Sequence, residues 1–210
     1  MIKMAVDTQT PFYDTRKIYH GTQKVVYQTT GQDKAGHSTG VTQFAPKVDQ
    51  NSKTIYADAQ THMTLIAPKK LTITVKNYQF TDDEMAQMGH KKVGDGFIDV
   101  GDHPTFDIQR ILIEQDETGK ETQVLEAYYG CTSSDYTESD DEDSDAINAK
   151  QYTRTITVNG KDFQVGDGGA SVNVKTFRIE RSDSNASVFD KYTEKVLTPS
   201  DFTTAAGAGH

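Results

Sequence analysis

The sequence predicts a mainly β fold, a β-sandwich or partly open barrel with one short flanking α-helix. Apolar residues alternate with polar ones at period 2 in segment after segment, turn-forming residues punctuate those segments, and helical spacing is confined to two short stretches. The clearest alternation is Leu71, Ile73 and Val75 against Thr72, Thr74 and Lys76, which places the apolar side chains on one face of a strand. Arg16 to Tyr19 and Lys24 to Thr29 read as two strands joined around His20-Gly21-Thr22. Phe106 to Glu114 and Gln123 to Tyr129 read as a hairpin around the turn-forming segment Asp116 to Lys120. A second hairpin is expected where Tyr152, Arg154, Ile156 and Val158 alternate with threonines before Asn159-Gly160 and Phe163, because Asn-Gly suits a type I′ turn. Ser171 to Glu180 adds one more β-branched and aromatic run.

The better helix is Thr81 to Met88. Thr81 is placed as N-cap, Glu84 stands at the capping-box position, acids fill the first turn, and Gly89 can end it. The second, Val188 to Val196, rests on Val188, Tyr192 and Val196 at helical spacing ahead of Pro199. Two polar stretches, Thr30 to Lys70 and Thr132 to Lys150, are read as loops longer than a compact domain usually carries. The expected organisation is one domain over 1–210, with an N-terminal arm over 1–12, a long loop over 30–70 that contacts other subunits, and a flexible C-terminal arm over 198–210.

Composition narrows the function. A hydrophobic share of 34% and a mean hydropathy of −0.67 allow a core with little apolar excess. A net charge of −9 and a sequence pI of about 5.1 oppose binding to nucleic acid through phosphate neutralisation. The single cysteine, Cys131, excludes an intrachain disulfide and a cysteine-only metal site. Met1 to Thr10 lacks the apolar run of a signal peptide and no segment is long and apolar enough to span a bilayer, so synthesis in the cytoplasm and no membrane partner are expected.

No motif assembles an active site, so no enzyme, no cofactor and no metal are expected. Gly36-His37-Ser38-Thr39-Gly40 fits the G-x-S-x-G pattern of serine hydrolases, yet neither a buried strand before it nor a helix after it is indicated, and a glycine-containing loop is the better reading. The acidic run Asp135, Glu138, Asp140, Asp141, Glu142, Asp143 and Asp145 contains Asp141-x-Asp143-x-Asp145, which begins like a calcium loop. Ala146 replaces the required Gly and Tyr152 the bidentate Glu, so a solvated acidic loop is expected. The six histidines are scattered without metal-site spacing.

From Asn51 to Val165 the order of features resembles the major tail proteins of long-tailed, non-contractile bacteriophages of the siphophage type. The residues that carry the resemblance are Thr54-Ile55-Tyr56-Ala57-Asp58-Ala59, the strand Leu71 to Val75, the helix closing in Met88-Gly89, the hairpin ending in Tyr128-Tyr129-Gly130, and Asn159-Gly160. The resemblance implies a structural virion protein, no catalytic role, six copies per ring, and rings stacked into a tube whose lumen is a closed β-barrel. It implies further partners in the tape measure, tail terminator and distal tail proteins, and DNA that passes without specific binding. Gly40, Phe44, Pro46, Val48 and Tyr56 in the long segment, with Phe12 and Tyr13 at the end of the N-terminal arm, are the implied contacts to neighbouring subunits. With a net charge of −9, a negatively charged lumen wall is expected to keep phosphates from sticking. A β-sandwich adhesion module recognising carbohydrate or protein is the alternative.

Overall fold

The computed structural model describes residues 17–50, 52–57, 60–139, 149–164 and 171–206. Among the described residues fourteen strands dominate, beginning with β1 (Ile18–Thr29), β2 (Gly36–Ser38), β3 (Val41–Asp49), β4 (Ser52–Ala57), β5 (Gln60–Ile66) and β6 (Lys70–Asn77). The helix α1 (Asp82–Gln87) and the short pair β7 (His90–Val93) and β8 (Gly96–Asp99) precede two central strands, β9 (Phe106–Gln115) and β10 (Glu121–Ser139). Then follow β11 (Gln151–Val158), β12 (Lys161–Gln164), β13 (Ser171–Val174), β14 (Thr176–Glu180), α2 (Ala186–Phe189), a 3-10 helix (Asp190–Thr193) and α3 (Pro199–Ala206).

The main sheet is antiparallel, runs β2-β1-β9-β10-β11-β6-β3, and does not close into a barrel; β14 joins β10 off this path. β10 serves two neighbourhoods. Its first half lies between β9 and β14, whereas beyond Cys131 it pairs only with β11 among the described residues. The change falls at Tyr128 to Cys131, where the ladder to β9 skips register. Gly130 sits there at φ +60, and a Cβ on it would meet the Gly160 carbonyl oxygen at 2.2 Å. Only glycine combines that left-handed backbone with so close an approach.

Each face of the bent sheet holds its own core. On one face Val25, Tyr27, Phe44, Ile73, Val75, Phe106, Ile108, Ile156 and Val158 pack together. On the other, Ile111, Leu125, Ala127 and Tyr129 are covered by Phe189, Val196 and Leu197 from the C-terminal segment. Strand alternation explains the division, since Ile108 and Ile111 or Tyr128 and Tyr129 point oppositely from one strand.

Several expectations are corrected by these pairings. The two strands expected at the start are one, because β1 absorbs Gly21 and Lys24, both at positive φ, as register shifts against β9. Asn159-Gly160 does not form the expected hairpin. β11 pairs with β10 and β6, while β12 pairs with β13. The Asn159 and Gly160 amides instead donate to the carbonyls of Gly130 and Tyr129, making a corner that carries the chain off the main sheet. The segment read as a loop over 30–70 contains β2, β3 and the separate hairpin β4–β5. On β3, Thr42, Gln43 and Lys47 are exposed, and such polar strand positions mimic loop composition. The C-terminal segment read as a flexible arm includes α3, and Phe202 packs on Phe177 with ring centroids 5.5 Å apart. Val188 to Val196 is not one continuous helix: it starts within α2, passes through the 3-10 helix and leaves helix after Thr193.

Candidate assembly interface

A buried ion pair secures the section of sheet from which two open edges project. Arg154 on β11 and Glu84 on α1 are both fully buried and bonded at 2.9 Å. Thr81 caps the helix and closes a capping box with Glu84, as the sequence predicts. Gln87 accepts a second bond from Arg154 at 3.1 Å, Ser38 donates to Glu84 at 2.5 Å, and Tyr27 meets Thr81 at 2.6 Å. The guanidinium also stacks over Phe80 and Phe106. Burial lowers the guanidinium pKa, against the pull of Glu84. The serine of the G-x-S-x-G pattern is thereby a structural donor on β2. Burial pushes the Cys131 thiol up, holding it protonated.

A second arginine works at the other end of the same core. Arg110 on β9 bonds Glu126 at 2.8 and 2.6 Å, donates to Thr22 on β1 and to the Phe44 carbonyl on β3, and lies over the Phe44 ring at 4.6 Å. It therefore bridges β3 to β1 where the sheet fails to close.

The open edges belong to unlike strands. Among the described residues β3 pairs only with β6, and β10 beyond Cys131 pairs only with β11. On β3, the Phe44 carbonyl is taken by Arg110 and so points away from the β6 ladder. Backbone groups two residues apart point the same way, so those of Pro46 and Val48 face the open edge too. Pro46 has no N–H to offer there, which blunts the middle of the edge. Val48, 57% exposed, remains accessible.

The implied contact residues are distributed unevenly by the fold. Gly40 turns the chain between β2 and β3, and its carbonyl accepts from the Tyr78 amide. Phe44 is buried in the subunit's own core, so its ring is not a surface contact. Pro46 and Val48 line a groove of about 620 Å³ with Leu71, Tyr128 and Phe177, rimmed by Lys69, Lys175 and Arg178. Tyr56 lies on β4, and Phe12 and Tyr13 fall outside the described residues. Of the acidic run, Asp135 and Glu138 lie on β10 and not in a loop, bonded to His90 at 2.9 Å and Lys150 at 2.6 Å. Asp140, Asp141, Glu142, Asp143 and Asp145 are outside the described residues. Sequence reading missed the exposed apolar residues Ile18, Ile66, Val93, Ile98 and Val100. The last three sit on or beside the β7–β8 hairpin, whose only strand pairing among the described residues is its own. The period-2 signal over four residues was too short to show them.

Among the described residues no group of three metal-binding side chains assembles, and no helix is long and apolar enough to cross a membrane. A bent β-sheet with unlike open edges belongs to the class of β proteins suited to joining copies through strands. The family model described as "Phage tail tube protein" matches residues 9–206, and the chain belongs to that family of structural virion proteins. A search of curated proteins finds no match. Among solved structures, the chain is similar to one in the cryo-EM structure of the anti-feeding prophage baseplate, at 6% identity and TM-score 0.37, covering 80% of this chain and 96% of that one. It is also similar to Hcp1 from Salmonella typhimurium, at 12% identity and TM-score 0.33, covering 76% and 93%.

Proposed function

We propose that this tail tube protein forms six-membered rings by joining the β3 edge of one copy to the β10 edge of the next, and that the rings stack into a conduit for DNA. The observation that carries the reading is the section β3-β6-β11-β10, whose two end strands are different and each keep one edge without a strand partner among the described residues. Unlike edges join head to tail, and a head-to-tail contact makes a closed ring when its rotation closes. Closure also removes the open strands that would invite aggregation. The role is structural and not catalytic, in keeping with the family. The chain is made in the host cytoplasm, and the tape measure, terminator and distal tail proteins meet the tube at its lumen and ends.

Negative-stain electron microscopy of the purified protein over a concentration series tests this. Rings or tubes of constant diameter are expected. A monomer that persists at high concentration across salt conditions would overturn it.

A further inference from the structure

The β7–β8 hairpin has one face held and one face free. Residues directly opposite in an antiparallel pair share a face, so His90, Lys92, Phe97 and Asp99 point one way and Lys91, Val93, Gly96 and Ile98 the other. The first face is fastened to the subunit, because His90 bonds Asp135 on β10 at 2.9 Å and Lys92 bonds Asp82 on α1 at 2.5 Å. Val100 extends the second face, its amide donating to the Gly89 carbonyl at 2.8 Å. Val93, Ile98 and Val100 on that face are each at least half exposed. Three large apolar side chains together on one side of a small hairpin mark a contact surface and not a scatter of single residues.

The groove beside β3 has the complementary make-up. Its floor is Pro46, Val48, Leu71, Tyr128 and Phe177, and Lys69, Lys175 and Arg178 stand on its rim. Among the described residues none of these cations is paired with an acid: Lys175 donates to the Lys69 carbonyl, and Arg178 lies over the Tyr19 ring. The hairpin brings an acid to match, for Asp95 stands in its turn between Gly94 and Gly96. Groove and hairpin lie on the same side of the sheet, at opposite ends of the β3-β6-β11-β10 section. Pro46 and Val48 stand opposite Ile73 and Leu71 and so share the core face at the β3 edge. Tyr136, which the His90 ring meets at 5.8 Å, stands opposite Arg154 and shares that face at the β10 edge. Joining the β10 edge of one copy to the β3 edge of the next therefore brings the hairpin of the first alongside the groove of the second.

We propose that the apolar face of β7–β8 docks into the groove beside β3 of the next copy, with Asp95 among the rim cations. This rests on the ring reading and adds to it a second joint, set off from the strand pair. The twist between adjacent strands ranges over about 10–35°, so a strand joint alone leaves the rotation between copies loose. A second contact at another radius fixes that rotation, and a fixed rotation is what lets a head-to-tail contact close at a set number of copies. Covering the stripe with the groove floor also takes apolar surface out of water.

The test is site-specific cross-linking of assembled rings, with the buried Cys131 as a silent background. Asp95→Cys combined with Lys69→Cys is the first pair, and Asp95→Cys with Arg178→Cys is the second should the first not assemble. Treated with a short bismaleimide, each pair is expected to give a ladder of covalent multimers on denaturing gels, whereas the single variants stay monomeric. Ile98→Asp is expected to keep the melting temperature of the monomer and to lose rings of constant diameter. Rings of a double-cysteine variant that stay unlinked, linked dimers from Asp95→Cys alone, or wild-type rings from Ile98→Asp would overturn the inference. Failure of the unmodified protein to form rings would overturn the ring reading itself, and this docking with it.

Discussion

Arg154 and Glu84 show what one residue pair can decide. Removing either partner strands a charge in the core, a change that costs about 3–5 kcal/mol for buried pairs. Arg154→Met is therefore expected to lower the urea midpoint of the dissociated subunit sharply, and Arg154→Met with Glu84→Gln to recover part of the loss. Equal loss in the single and double variants would show that packing on Phe80 and Phe106, not charge, is what Arg154 provides. Gly130→Ala should cost at least about 2 kcal/mol, from left-handed backbone strain together with the clash on the Gly160 carbonyl. Wild-type stability in that variant would contradict the corner described here. Neither site was legible beforehand. Arg154 read as one member of an alternating strand, and nothing local marks its partner, which lies 70 residues away on α1.

Elements whose signals are local were read well. The capping box at Thr81 is complete within four residues, so the sequence alone located α1. The β9–β10 hairpin was equally clear, because Asp116 organises its turn through the Thr118 and Lys120 amides. Asn159-Gly160 misled for the opposite reason. The dipeptide specifies a bend, but which strand follows is set by Gly130, Tyr129 and the pairing of β12 with β13. The terminal segment was underestimated because α3 is held by one acid, Asp201, which accepts from the Thr198 amide and hydroxyl and from Lys195 at 2.5 Å. Burial opposes ionisation of Asp201, yet these donors hold its carboxyl below the ordinary range. A depressed folded value means the stabilisation is full above the unfolded value of about 3.9 and is lost as pH falls through the folded one. Asp201→Asn should be less stable than wild type at pH 6 by thermal melting, with the gap closing toward pH 2. A gap that stays constant would remove Asp201's charge from the account.

At the scale of the whole molecule, the polar stretch before Lys70 divides into two devices that separate perturbations should distinguish. Val48 lies on the open edge of β3, and its N–H points away from β6, so Val48→Pro removes a donor that only a neighbour can use. The variant is expected to keep the wild-type circular dichroism and melting behaviour of the monomer while losing rings. The β4–β5 hairpin is different, for its strands pair only with each other among the described residues. A two-stranded ribbon is marginal alone in water, and on the proposed tube reading this one gains stability by resting on another subunit. Ser52 to Ile66 replaced by a short Gly-containing turn should therefore leave the fold and the lateral joining of edges intact and stop growth along the tube axis, yielding single rings by electron microscopy. The two defects are separable by mixing. Hairpin-deleted subunits should enter rings with wild-type protein and terminate tubes, shortening them in proportion to dose, whereas Val48→Pro subunits should be left out. If the deletion variant remained monomeric, the hairpin would be part of the lateral contact, and the division between ring-forming edge and ring-stacking ribbon would fail.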